Sequence, residues 1–181
     1  MRITRWITDY ISHPDPLTAK SNLVTFVIAS NGPFYPFYVY LLIGKAAFPT
    51  LLTMLASPVF LALPALARRH GLAGRLALPV VGTLNTVWCA KLLGVSSGVE
   101  LFLLPCISLA ALSFRAAERR LKWAVMALPF ALYLWQNHGG GLGAPLLTFT
   151  QPQDEALRSL NIASVGTLTA FLGLVYAARE V

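Results

Sequence analysis

The densest run of polar side chains lies between Asn85 and Glu100 and reads Asn-Thr-Val-Trp-Cys-Ala-Lys-Leu-Leu-Gly-Val-Ser-Ser-Gly-Val-Glu. Gly94 and Gly98 punctuate it as a turn between two apolar segments. Lys91 and Glu100 stand at mirrored positions around that turn, so antiparallel helices would bring an ammonium and a carboxylate to one level. An ionisable group close to lipid is costly unless it is paired or faces water. The spacing therefore predicts an ion pair beneath the turn, or a charged anchor for a ligand head group. Asn85 lies deeper, and Asn31 and Asn161 add amides in two other apolar segments. Buried amides need partners, so the three either satisfy one another or bind something. Tyr35, Trp88 and His138 complete the candidate ligand-binding set of Asn31, Tyr35, Asn85, Trp88, Lys91, Glu100 and His138.

Catalytic patterns do not emerge. His13, His70 and His138 are not placed to face one another inside a membrane, as a haem between helices would require. No His, Asp, Glu or Cys cluster has metal-ligand spacing. Cys89 and Cys106 differ in depth by about four residues, or about 6 Å, which argues against a disulfide. A phosphate loop, a nucleophile elbow and an intramembrane carboxylate pair are all missing from the sequence. The expectation is a chain without intrinsic catalysis, metal or cofactor, although a lipid- or quinone-binding subunit stays open.

The elements that must position these residues are set by composition. Of 181 residues 56% are hydrophobic and only 12% charged, about half the charged share of a soluble domain, and mean hydropathy is +0.65. Six apolar stretches, 23–44, 48–67, 76–93, 99–114, 121–135 and 160–178, approach the length of about 20 residues that crosses a bilayer. Their connections alternate in charge. Eleven basic residues fall on one side: Arg2, Arg5, Lys20, Arg68, Arg69, Arg75, Arg115, Arg119, Arg120, Lys122 and Arg179. Three fall on the other: Lys45, Lys91 and Arg158. The positive-inside rule then predicts an all-α integral membrane protein, a six-transmembrane-helix bundle with both termini cytoplasmic. The placement also explains the net charge of +7 without nucleic acid, and it makes membrane lipids the first partner. No cleavable signal peptide is expected, because the first twenty residues are polar and interrupted.

Three features bear on what the bundle does. The first stretch contains Gly32-Pro33-Phe34-Tyr35-Pro36, and two prolines that close together break a helix at membrane depth, where broken helices often line binding sites. The segment after the fifth stretch, His138-Gly139-Gly140-Gly141-Leu142-Gly143-Ala144-Pro145, is long and flexible enough to form a lid, with Asp154-Glu155 marking a fresh helix start. In the last stretch Ala163, Gly166, Ala170, Gly173 and Ala177 recur at intervals of 3 and 4, placing five small residues on one face. That face suits packing within the bundle or a homodimer seam. No internal repeat of the kind many transporters carry is evident.

The six stretches, the turn Leu93-Gly94-Val95-Ser96-Ser97-Gly98-Val99-Glu100 and the inner loop Phe114-Arg115-Ala116-Ala117-Glu118-Arg119-Arg120 resemble a known group. They are similar to the six-helix membrane domains of bacterial class III adenylate cyclases and sensor histidine kinases. The resemblance implies a bacterial inner-membrane receptor module that binds a small lipophilic ligand or senses membrane state, then signals through its last helix to a cytoplasmic partner. It carries over no catalytic residue. Such a domain continues into a signalling helix and an output domain where this sequence ends at Val181, so the chain reads either as an isolated membrane domain or as a small protein alike only in architecture. The competing expectations are a small transporter or channel-like protein, with the broken first helix and Asn85 lining a path, and a structural subunit of a membrane complex.

Overall fold

A computed structural model of the chain describes residues 2–178, all-helical with connecting turns and loops; Arg179 lies outside the described residues. Ahead of the first apolar stretch, where the sequence reads as polar and interrupted, the structure has a helix, α1 (Arg2–Ile11). Trp6, Ile7, Tyr10 and Ile11 recur at the helical period. Ten residues are too few to stand out in a window sized for a span.

Asp15 starts the next helix. Its carboxylate accepts from the Leu17 amide and the Thr18 hydroxyl, and Pro16 occupies the first turn, where its missing N–H is harmless. α2 (Pro16–Asn31) runs into Pro33 and Pro36, neither of which can donate to the preceding turn. The chain tightens into one 3-10 turn, Gly32–Phe34, and resumes as α3 (Tyr35–Ile43). At Gly44, with φ 67° and ψ −142°, a conformation open to glycine, it reverses.

The return arm is 3-10 helix over Gly44–Ala56, then α4 (Ser57–Arg69). Runs of 3-10 helix beyond three or four residues are uncommon. Here Pro49 removes an α-type bond, and the Thr50 and Thr53 hydroxyls donate to carbonyls three residues back, at the 3-10 spacing. The arms pack antiparallel: Val24 and Ala29 share a core with Phe60 and Leu63, and Val39 shares one with Ala47. Drawn out straight, these 54 residues would measure about 80 Å against a hydrocarbon core of about 30 Å.

α5 (Gly71–Leu93) sits at the centre, between α4 and the next pair. Gly74 lets it approach closely: a Cβ there would fall 2.4 Å from that of Ala67. Two short 3-10 turns, Val95–Ser97 and Val99–Phe102, lead into α6 (Leu103–Leu112). The chain then bends by 119° into α7 (Arg119–His138), which packs on α6 through Ala110, Phe114 and Val125. A loop crosses to α8 (Gln151–Ala177). That helix starts three residues before Asp154, because the Gln153 side chain accepts from the Thr150 amide and closes the first turn earlier.

Several of these helices are long and apolar enough to cross a membrane: the run Pro16–Arg69, α5 and α8, with Val99–Leu112 and Ala116–His138 qualifying together. Leu41, Phe48, Leu55, Leu84, Phe130 and Leu174 stand exposed on the flanks, an apolar perimeter compatible with a membrane protein. The two ends of the bundle differ. One gathers α1, the α4–α5 junction, the α6–α7 bend and the end of α8, and it holds most of the basic residues. The other gathers the Gly44 reversal, the α5–α6 turns and the loop before α8.

Candidate functional site

At the weakly charged end the α7–α8 loop folds back on α5. Lys91 Nζ donates to the carbonyls of Leu142 and Ala144, at 3.1 and 2.7 Å. The amides of Leu146 and Leu147 donate to the Lys91 and Leu92 carbonyls, each at 2.9 Å. The last carbonyls of α5, which have no helical partner, are thereby satisfied by the loop. Gly140, Gly141 and Gly143 all take positive φ, which is why this crossing is written in glycine. Beneath it lies a cavity of about 260 Å³, lined by Ala90, Val95, Ser96, Gln136, Leu142 and Pro145 among others. Gln136, in the last turn of α7, is 6% exposed, and neither its amide oxygen nor its nitrogen has a hydrogen-bond partner. Buried polar groups are rarely left so.

Beside this cavity Asn161 of α8 is fully buried. It accepts from the Tyr35 hydroxyl at 3.1 Å and donates to the Ser97 carbonyl at 2.8 Å. One amide thus ties α3, the α5–α6 turn and α8.

The residues singled out from sequence scatter around this point. Tyr35 and Trp88 share one apolar cluster with Cys89, and Asn85 accepts a weak 3.9 Å contact from the Cys89 thiol. Trp88 donates its indole N–H to the Leu52 carbonyl at 3.1 Å. Asn31 and His138 are exposed. None of the seven lines the cavity under the loop. The three amides do not satisfy one another: Asn161 bonds to Tyr35 and Ser97, Asn85 keeps its local contact, and Asn31 faces outward. Cys89 and Cys106 are free thiols.

Lys91 and Glu100 form no ion pair, which corrects the expectation from mirrored spacing. The connection is two 3-10 turns, and the loop carbonyls take the Lys91 ammonium. Glu100 is instead buried to 4% exposure, with Oε2 unpartnered. The Arg158 side chain packs over neighbouring Gly98.

The basic end holds the ion pairs found among the described residues. Arg75, 3% exposed, donates through both terminal nitrogens to Glu118, at 2.8 and 2.7 Å, and to the Ser113 carbonyl at 2.7 Å. Its Nε lies 3.8 Å from Asp15, which also pairs with Arg115 at 2.8 Å. Hydrogen bonding from Arg75 holds the Glu118 carboxyl below its ordinary range, against the opposing push of burial. At Asp15 burial pushes upward, but bonds from Thr18 and Arg115 outweigh it and the pKa lies low. The cluster staples the starts of α2 and α5 to the α6–α7 bend. It reaches α8 through the Ser113 and Tyr176 hydroxyls, 3.3 Å apart, and Lys20 Nζ donates to the Ala178 carbonyl at 2.7 Å.

Between those anchors α8 is largely uncovered. Ala163, Gly166, Ala170, Gly173 and Ala177 are exposed, and a Cβ built at Gly166 or Gly173 meets nothing within 4 Å. Within one chain, therefore, the small-residue face is left largely open. An apolar groove of about 310 Å³ opens between α3 and the 3-10 arm, lined by Pro36, Phe37, Tyr40, Ala47, Phe48 and Leu51.

Sequence reasoning missed Gln136, Arg75 with its carboxylates, and Tyr176. Gln136 was visible as an amide directly after the fifth apolar stretch, and Asp15-Pro16 as a cap. Pairing Arg75 with Glu118 across 43 positions had no local signal. No family profile, no characterised protein and no solved structure matches this chain.

Proposed function

We propose that this chain is a receptor-like module of a bacterial inner membrane, with six spans and both termini on the cytoplasmic side. In this reading it binds a small lipophilic ligand or responds to the state of the bilayer, and passes the change through α8 to a cytoplasmic partner. The observation that carries it is the attachment of α8. Asn161 fixes the helix to the weakly charged end, Tyr176 links it through Ser113 to the ionic cluster, Lys20 of α2 holds the Ala178 carbonyl, and the face between is largely open. A 27-residue helix spans about 40 Å, enough to link the two ends as one rigid element. The apolar groove of Phe37, Tyr40 and Phe48 favours a lipophilic ligand. The uncovered small residues suit a homodimer, in which backbones approach closely.

Coupling requires two arrangements of the bundle with different ligand affinity. Native mass spectrometry of the gently solubilised protein tests the proposal. A homodimer retaining a defined lipophilic molecule supports it. A bare monomer that stays monomeric in nanodiscs contradicts it.

A further inference from the structure

We propose that α1 is an interfacial helix whose partner is the anionic lipid surface at the basic end of the bundle. The inference rests on the membrane reading above and adds a site to it. At about 100° per residue, Trp6, Tyr10, Ile7 and Ile11 fill one arc of about 140°, and Thr4, Arg5, Thr8, Asp9 and Ser12 fill the remainder. The helix is docked, not dangling. The Asn22 amide donates to the Ile11 carbonyl at 3.1 Å, and Arg68 donates to the Tyr10 carbonyl at 3.0 Å. The Arg68 guanidinium also sits 4.9 Å over the Tyr10 ring, and the Tyr10 hydroxyl donates to the Leu61 carbonyl.

That last contact sets the depth. Leu61 lies eight residues before Arg69, about 12 Å along α4 from its basic end. The Tyr10 ring therefore reaches back along α4 past the Arg68 backbone, with the Arg68 guanidinium turned back over it, and α1 lies along the flank instead of beyond it. Interfacial helices bury their apolar face about 5–10 Å into the headgroup boundary. Trp6 stacks on Tyr10 at 5.5 Å and 8°, yet remains 63% exposed, on the side the bundle does not cover. An amphipathic indole facing outward at this depth suits the headgroup region. Exposed Leu61 and Leu66 of α4 continue the apolar patch. Arg5, Arg68 and Arg69, all exposed, supply the positive charge that favours anionic over zwitterionic lipid.

The test uses the full chain in vesicles of phosphatidylcholine, with and without phosphatidylglycerol. Tryptophan fluorescence is quenched by lipids brominated at shallow or deep chain positions, and by aqueous acrylamide. The Trp6 component is the native signal minus that of Trp6→Phe. It should be quenched by shallow bromines and shielded from acrylamide, more so with phosphatidylglycerol. Arg5→Gln should lower the ratio of seated to unseated helix about five-fold in those vesicles, and Arg5→Lys should keep it. A Trp6 component open to acrylamide and untouched by bromines overturns the proposal, as does a seat indifferent to phosphatidylglycerol. Leu84→Trp in the Trp6→Phe background separates the two failures, since Leu84 is 58% exposed on the mid-flank of α5. Deep bromines must quench it if the membrane reading holds. Acrylamide quenching at both positions sinks that reading instead.

Discussion

Replacing Arg75 by methionine should unfasten the basic end, and the size of the effect can be worked from its contacts. The arginine side chain is 4% exposed, and its carboxylate partners Glu118 and Asp15 are 20% and 19% exposed. Removing one partner of a fully buried pair costs about 3–5 kcal/mol. Water reaching the two carboxylates should recover part of that, while the Ser113 carbonyl loses its donor at about 1 kcal/mol. The expected loss for Arg75→Met is about 3 kcal/mol. Glu118→Gln retains an acceptor for the Arg115 amide that Glu118 now serves, so it should cost only about 1–2 kcal/mol. The double variant should be less destabilised than the sum by about 1–2 kcal/mol, because the two groups form one interaction.

The pH dependence gives a second signature. Both carboxyls have folded pKa values below their ordinary 3.8 and 4.5. Their stabilisation is therefore complete above those ordinary values and is lost as pH falls through the lowered folded ones. In Arg75→Met the Glu118 carboxyl returns towards 4.5, so the acid limb of the stability curve should be shallower. Asp15 keeps its part through Arg115 and Thr18. Equilibrium unfolding in mixed micelles, followed by tryptophan fluorescence across that acid range, measures both effects. A loss under about 1 kcal/mol, or strict additivity in the double variant, would mean that Arg75 and Glu118 do not act as one buried pair.

Three further substitutions probe the weakly charged end. Lys91→Met removes the donor to two loop carbonyls; hydrogen exchange at the Leu146 and Leu147 amides should quicken about ten-fold, for a loss of about 1.4 kcal/mol. Asn161→Leu strands the Ser97 carbonyl in a fully buried position and should cost about 2–3 kcal/mol, against about 1 kcal/mol for Tyr35→Phe, both read by unfolding in micelles. Gln136→Leu should leave stability unchanged or raise it by about 1 kcal/mol, because the amide makes no bond in the fold. A clear loss of stability in Gln136→Leu would mean that the amide has a structural partner after all.

The helical class was legible because hydrophobicity and charge alternation act over whole segments. The breaks at Pro33 and Gly44 and the glycine-built crossing before α8 followed from single residues with strong backbone preferences. Long-range pairing was not legible. Mirrored spacing assumes a tight turn, and the two 3-10 turns between Gly94 and Leu103 send Lys91 to the loop and Glu100 inward. Asn85 and Asn161 look equivalent in sequence, yet one sits half-buried beside Cys89 and the other joins three elements. Arg75 counts as one more basic residue for topology until the fold brings Glu118 against it. Depth along a helix can be read from a pattern, but azimuth and cross-chain partners depend on how the helices pack.

Transmission through α8 can be tested by one comparison. Hydrogen exchange should be followed at residues 113–119 of the α6–α7 bend, in the native protein and in Lys91→Met, whose lesion is confined to the opposite end. Freeing the loop should quicken exchange at the bend as well as at the loop. Faster exchange in the loop with an unchanged bend would contradict that transmission.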